Sequence, residues 1–410
     1  MQLSRFVGMS AASMLAAGLI LAAGCGSTPA GSGSPAAPTT APKAGEPTKA
    51  ASGAAQAGSG AIAVKVGMIT PLSGDVKTYG ESVKNAYELA IEEANKAGKV
   101  NITTVVTDSK GDATEGVNAA TKLINQDKVK AIFGPVISRV AIGVSDIVNT
   151  NKIVMITPTG TAPKVTVDNG KRKEYIFRSC FIDPFQGQVM AKFGLNTVKA
   201  KNASIVYDIS NDYSKGLAET FKAAFEQGGG KVVNMESYGK DDVDFSAILT
   251  KVGSNSPDVL FLPDYYNKVS LIGRQAKEKG VKATLLGVDG WDSAELDAKA
   301  MEGGYFSNHY SAEDQRPEVQ EWIKKYQAKF GKAPDALGTL AYDAANLLVE
   351  AIVKAGSDDP TKIRDAMANI KDFKAVTGTL SFDKDGNPIK SAVVLQIKDG
   401  KQKYVETVNP

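Results

Sequence analysis

The sequence predicts an α/β fold of two doubly wound, Rossmann-like lobes joined by a hinge that the chain crosses more than once. Three observations predict it. Short apolar strands alternate with amphipathic helices from Ala61 onward, this rhythm restarts after Cys180, and three consecutive helices then precede terminal hairpin-like strands. A chain of 410 residues is long enough for two separate cores.

In the first unit a strand at 64–69 leads into a helix at 80–97, whose Val83, Ala86, Tyr87, Ala90, Ile91 and Ala94 share one face. Strand 102–107, helix 113–126, strand 131–133, helix 139–148 and strand 153–156 follow. The second unit reads as helix 185–196, strand 203–207, helix 214–227, strand 232–235, helix 245–252, strand 259–262, helix 268–279 and strand 284–287. Helices at 317–330 (Val319, Trp322, Ile323 and Tyr326 on one face), 336–355 and 361–370 come next. Strands at 378–382, 392–397 and 403–407 end the chain, with turns at Asp385-Gly386-Asn387 and Asp399-Gly400. The expected lobes are 61–181 with 311–382, and 182–310 with 383–410. Crossings are expected near 180–184, 306–311 and 382–385.

Ligands of doubly wound sheets sit beyond the carboxyl ends of the strands, so the loops there carry the candidate site. They are Thr70–Gly74 with Tyr79-Gly80, Gly134–Ser138, Thr157–Pro163, Asp212–Gly216, Asp264–Tyr266 and Val288–Asp292. Hydroxyls of Ser138, Thr159 and Thr161 beside helix-start N–H groups suit a carboxylate. Asp289 suits a cation, and Tyr79, Tyr213, Tyr265, Tyr266 and Trp291 offer flat walls with polar tips. Together these groups suit a zwitterion. Taken singly, Ser138 reads equally as a helix cap, Thr161 as a turn residue and Asp289 as a turn former.

The first sixty residues read as address and tether. Arg5 precedes an uncharged stretch at 6–24 that ends in Leu21-Ala22-Ala23-Gly24-Cys25. Small residues before a cysteine fit a lipoprotein leader at 1–24, with Cys25 lipidated. Residues 26–60 contain no Val, Ile, Leu or aromatic residue, so 25–60 is expected to be a disordered tether spanning on the order of 30 Å. No later stretch reads as apolar for long enough to cross a bilayer.

Composition excludes several functions. Formal net charge is +3 with lysines interspersed among carboxylates, which is no footprint for nucleic acid. With Cys25 lipidated no intramolecular disulfide can form, and Cys180, in a strand-like run, reads as a small core residue. No phosphate loop or dinucleotide fingerprint occurs. His309 is the only histidine, and its segment, read as lying between the lobes, favours a structural or exposed role. No metal site, cofactor or catalytic constellation is expected.

In its ordered set of motifs the chain resembles the type I periplasmic binding proteins of the branched-chain amino-acid transport class. The similarity runs from about Ala61 to the C-terminus through VGMITPLSGDVKTYG (66–80), 108–112, 131–138, 155–163, 212–218 and 287–292. It implies a Venus-flytrap fold that binds an amino acid, branched-chain or related, and delivers it to ABC permease subunits. A monomer outside the cytoplasm is expected, held to the membrane through the lipidated Cys25 read from the leader. Tyr79, Ser138, Gly160, Thr161, Tyr213, Tyr265 or Tyr266, and Asp289 then occupy ligand-contact positions, with Ser and Thr on the α-carboxylate and the acid on the α-ammonium. Two departures stand out. The disulfide common in the first lobe of the family is missing, Ile137 occupying one of its positions, and Asp289 is one methylene shorter than the family glutamate. A sensing receptor of the same fold, for a small amide or aromatic acid, is the alternative reading.

Overall fold

The computed structural model describes residues 60–410. The expected leader, the lipidation at Cys25 and all of the tether except Gly60 lie outside the described residues.

The first sheet takes β1 (Ile62–Thr70), β2 (Val100–Asp108), β3 (Ala131–Phe133) and β4 (Val154–Thr157), separated by α1 (Lys77–Lys96), α2 (Ala113–Asn125) and α3 (Ser138–Thr150). A small hairpin, β5 (Val167–Asp168) and β6 (Lys171–Arg172), precedes β7 (Ile176–Arg178). The sheet order is β2-β1-β3-β4-β7, every pair parallel.

The second sheet is built from α4 (Asp183–Asn196), β8 (Asn202–Asp208), α5 (Asp212–Gln227), β9 (Lys231–Tyr238), α6 (Ser246–Ser254), β10 (Val259–Phe261), α7 (Tyr266–Glu278), β11 (Thr284–Gly287) and β12 (Tyr305–Asn308). The chain then returns to the first lobe as α8 (Pro317–Phe330), α9 (Ala336–Ala355) and α10 (Pro360–Ala368), with the hairpin β13 (Phe373–Ala375) and β14 (Gly378–Leu380). It crosses once more to add β15 (Ala392–Lys398) antiparallel to β12, and β16 (Lys401–Val408) antiparallel to β15. The resulting order is β16-β15-β12-β11-β10-β8-β9. Two doubly wound lobes joined by three crossings follow directly.

Local sequence explains many of the boundaries. Asp112, Asn211, Asp335 and Asp359 accept N–H bonds at the starts of α2, α5, α9 and α10. Pro317 and Pro360 open their helices, and Gly331 and Gly356 end α8 and α9 in the left-handed region (φ 71° and 59°). The strand expected at 378–382 pairs back onto the unanticipated β13, while the last two strands pair with each other.

One core joins Val66, Met68 and Phe133 of the first sheet to Trp322, Tyr326, Leu348 and Ile352 of the returning helices. The second sheet is covered on both faces, by Phe193, Leu217 and Phe221 on one and Leu249, Ile272 and Trp291 on the other. Helix α9 corrects the reading that no later stretch could span a bilayer. An 18-residue window of this 20-residue helix has a mean hydropathy of 1.3, enough by length and composition, yet 72% of that window is buried inside the protein itself. Its apolarity serves the core, where it packs on α1 and α10.

Gly80 lets α1 approach the loop after β1: a Cβ there would lie 1.7 Å from the carbonyl oxygen of Pro71. Overpacking costs about 1–3 kcal/mol. Gly80→Ala is therefore expected to destabilise the fold by about 3 kcal/mol in urea denaturation, and an unchanged midpoint would contradict this packing.

Candidate functional site: the cleft between the lobes

In each lobe the strand order reverses beside the first strand, between β1 and β3 and between β8 and β10. The two switch points face each other across one cleft, and the loops after these strands supply its wall. Tyr79, Ser138 and Thr159 from the first lobe meet Tyr213, Tyr265, Asp289 and Gly290 from the second around about 310 Å³ of atom-free space. Val136, Ile137 and Leu337 give the same space an aliphatic side. A more polar compartment, lined among others by Asp75, Lys110, Arg139, Asp208 and Lys240, shares Ile137 and Tyr265 with it.

Asp289 is only 5% exposed. Its Oδ1 accepts from the Tyr213 hydroxyl at 2.6 Å and the Gln186 amide at 3.2 Å, and its Oδ2 lies 2.9 Å from His309 Nε2. No Lys or Arg among the described residues lies within ion-pair distance of it. The Gly290 N–H donates to the Tyr213 hydroxyl at 2.9 Å. A Cβ on Gly290 would lie 2.8 Å from that oxygen, so this position requires the smallest residue. Burial first, and then the neighbouring Asp289 charge, hold the Tyr213 phenol well above its ordinary range, so it stays a donor.

Ser138 does not cap its own helix. It is the first residue of α3 behind Ile137, which makes no side-chain cap, and its hydroxyl accepts from the Ala162 N–H at 3.2 Å. The early N–H groups of α3 thus lack a side-chain cap at the cleft. Thr159 donates to the Val136 carbonyl at 2.6 Å. Behind this loop the fully buried Arg178 donates to the carbonyls of Gly160 (2.6 Å) and Ala162 (3.1 Å). Tyr265 stacks on Tyr213 at 5.1 Å and meets Tyr79 edge-on at 5.9 Å.

Several contacts join the lobes across the cleft. The Tyr79 hydroxyl donates to the Gly290 carbonyl and the Tyr266 hydroxyl to that of Asp75 (3.0 Å). The hydroxyls of Thr78 and Ser293 meet at 3.1 Å, and Lys164 pairs with Asp212 at 3.1 Å.

Four expected contact residues do not reach the wall of this space. Trp291 is fully buried, its indole N–H donating to Leu262 and its ring lying near Phe306, because the turn at Asp289–Trp291 aims it into the second lobe's core. Tyr266 instead serves the cross-lobe contact. Gly160 and Thr161 lie one layer back, the Thr161 hydroxyl buried and unpartnered. Of the two readings of His309, structural or exposed, the structure supports the structural one. Its ring is wholly buried, stacked on Phe181 at 3.7 Å and bonded to Asp289. Sequence reasoning also missed Gln186, Leu337 and Asp183. Asp183 is 1% exposed and raised to about 7 by burial.

A family model for periplasmic binding proteins matches residues 63–402. The chain belongs to the periplasmic binding protein family. A Leu/Ile/Val-binding protein homolog 3 of Brucella melitensis is 34% identical over 329 residues, covering 78% of this chain and 88% of the relative. The leucine binding protein LivK of Thermotoga maritima, at 35% identity, superposes with a TM-score of 0.80 over 85% of this chain and 99% of that one. LivJ of Streptococcus pneumoniae, solved in complex with isoleucine, is 30% identical with a TM-score of 0.79, covering 85% and 100%. Like these periplasmic binding proteins, the chain is a binding protein and not an enzyme.

Cys180 is fully buried, and burial pushes its thiol up to about 12 despite the nearby Arg178. At pH 7.5 it is thus a protonated, inaccessible thiol. Iodoacetamide is expected to leave Cys180 unmodified in the folded protein and to alkylate it in urea, as read by peptide mass spectrometry.

Proposed function

We propose that this chain is the extracytoplasmic, lipid-anchored solute-binding component of an ABC importer, capturing an amino acid with an aliphatic side chain between its closing lobes. The observation that carries this reading is the opposition of two unlike groups in one cleft. Asp289 and the Tyr213 hydroxyl, on the second lobe, seat an ammonium. Ser138 and the N-terminus of α3, on the first, seat a carboxylate, backed by Arg178 behind Gly160 and Ala162. Val136, Ile137 and Leu337 accept the side chain, and Tyr79 and Tyr265 close over it. The names of the Brucella, Thermotoga and Streptococcus relatives support the same solute class.

Binding in such a cleft favours the closed state by whatever differential affinity the ligand has for it. In this reading the lobes are 61–181 with 311–382 and 182–310 with 383–410, moving about the three crossings. The anchor rests on Ala22-Ala23-Gly24-Cys25 and the polar tether after it. A small amide or aromatic acid lying on the stacked Tyr213–Tyr265 pair is the second reading.

Calorimetry against leucine, isoleucine, valine, small amides and benzoate separates the two. Removing one partner of a desolvated charge pair costs about 2–5 kcal/mol, and a hydrogen bond to a charged group contributes about 1.5–3 kcal/mol. Asp289→Asn is therefore expected to weaken leucine binding more than Ser138→Ala does, and to affect an analogue lacking the ammonium much less. Unimpaired leucine binding by Asp289→Asn would remove the zwitterion site. For the anchor, Cys25→Ala is expected to move the protein from the membrane fraction to the soluble one with ligand affinity intact, and retention in the membrane would overturn it.

A further inference from the structure

His309 stands where the chain leaves β12 for the first lobe, and it is the only histidine in the sequence. Its ring is clamped by stacking on Phe181, from the first crossing, at an interplanar angle of 24°. Nε2 lies 2.9 Å from Asp289 Oδ2, while Nδ1 is buried with no partner among the described residues. That asymmetry fixes the proton. A carboxylate oxygen accepts, so Nε2 carries the hydrogen, and a second proton on Nδ1 would be a buried donor with nothing to meet it. Asp289 Oδ1 is turned the other way, to Tyr213 and Gln186.

We propose that His309 is a positioning residue for ligand capture: its Nε2–H holds one oxygen of Asp289, so that the carboxylate presents its Tyr213 edge to the cleft and capture of an ammonium becomes proton-linked. The inference rests on the amino-acid reading above and adds a regulator to the same site. When His309 is neutral, Asp289 has its full charge to give to the ligand. When the imidazole gains a proton, imidazolium and ammonium compete for one carboxylate, and the ligand loosens.

The charged groups facing His309 are Asp289 and Asp292 from the loop after β11 and Lys390 from the third crossing. Burial is the largest influence and lowers the imidazole below its ordinary value, with Asp289 pulling the other way and Lys390 reinforcing the drop. The linkage therefore acts below about pH 6.5. Asp183, raised to about 7 by burial and within electrostatic reach of Asp289, titrates nearby with the same sign, since its ionisation on rising pH also favours an ammonium. Asp183→Asn is thus the necessary control.

Because the histidine is unique, 15N-histidine NMR of the full-length protein reads this site alone. The expected spectrum at pH 7.5 is the neutral Nε2–H tautomer, and leucine is expected to lower the titration midpoint further. By calorimetry, leucine affinity is expected to fall from pH 7.5 to pH 5 in Asp183→Asn, by up to about tenfold if leucine lowers that midpoint by about one pH unit, and in the parent by that amount plus whatever Asp183 adds. His309→Gln, which keeps an amide donor near Nε2, is expected to flatten that fall. At pH 7.5 His309→Ala is expected to bind leucine about tenfold more weakly than the parent, with His309→Gln recovering part of the loss.

An Nδ1–H tautomer in the ligand-free protein overturns the positioning role. Leucine heat with an unmoved imidazole titration, or a fall with pH that His309→Gln leaves intact, overturns the proton linkage and leaves the amino-acid reading standing. No leucine heat in the parent overturns the amino-acid reading and the ligand linkage with it, and the ligand-free tautomer still decides whether His309 orients Asp289.

Discussion

Burying the carboxylate of Asp289 without a lysine or arginine beside it is the constraint around which this cleft is organised. A buried charge with no ion partner persists only when hydrogen bonds take up its lone pairs. Tyr213, Gln186 and His309 do so, and they come from α5, α4 and the end of β12. Each is held in turn. Gln186 accepts from Ser307 through its Oε1, Tyr213 receives the Gly290 N–H, and His309 is stacked on Phe181. Disturbing any of these residues disturbs the carboxylate, so the crossing segments and the cleft wall form one hydrogen-bonded unit.

The topology supplies the other half of the geometry. Parallel sheets wound in both directions leave a crevice where their order reverses, and two such sheets joined by three crossings can only close by bringing those crevices together. The residues with chemistry are therefore short-loop residues set by rigid strands, while the returning helices α8–α10 complete the first lobe's core from the far end of the sequence. Leu337, at the start of α9, shows that this return also reaches the cleft.

The strand–helix rhythm was legible because strongly periodic segments carry their own boundaries. The limits of α8 and α9 were readable from Pro317, Gly331, Asp335 and Gly356, each a local stop or start signal whose physics needs no tertiary partner. Tyr79, Ser138, Tyr213, Tyr265 and Asp289 were legible as a set because post-strand loops converge. Trp291 was misread for the same reason. Its position predicts a wall, but a single 3-10 turn reverses its direction, and the ring lies where a Cβ on Gly287 would be, 1.9 Å from the indole. Gln186 and Asp183 gave no signal, and His309 was placed between the lobes without its partner. The four-residue β12 ends in Ser and Asn and resembles a connector, and a contact between crossing segments leaves no periodicity in the sequence.

The cross-lobe contacts bear on what happens when no solute is present. Tyr79 with Gly290, Tyr266 with Asp75, Thr78 with Ser293 and Lys164 with Asp212 all bridge the two lobes. In the proposed capture cycle they would tilt an open–closed balance by a fixed amount, and a solute would add its own preference on top. Apparent affinity is the intrinsic affinity scaled by the fraction of molecules already competent to bind. If the chain serves an importer as proposed, a membrane partner that recognised only the closed outline would thus also meet unloaded copies. Trimming these contacts would then lower that idle background, at the cost of a shorter residence time for the solute.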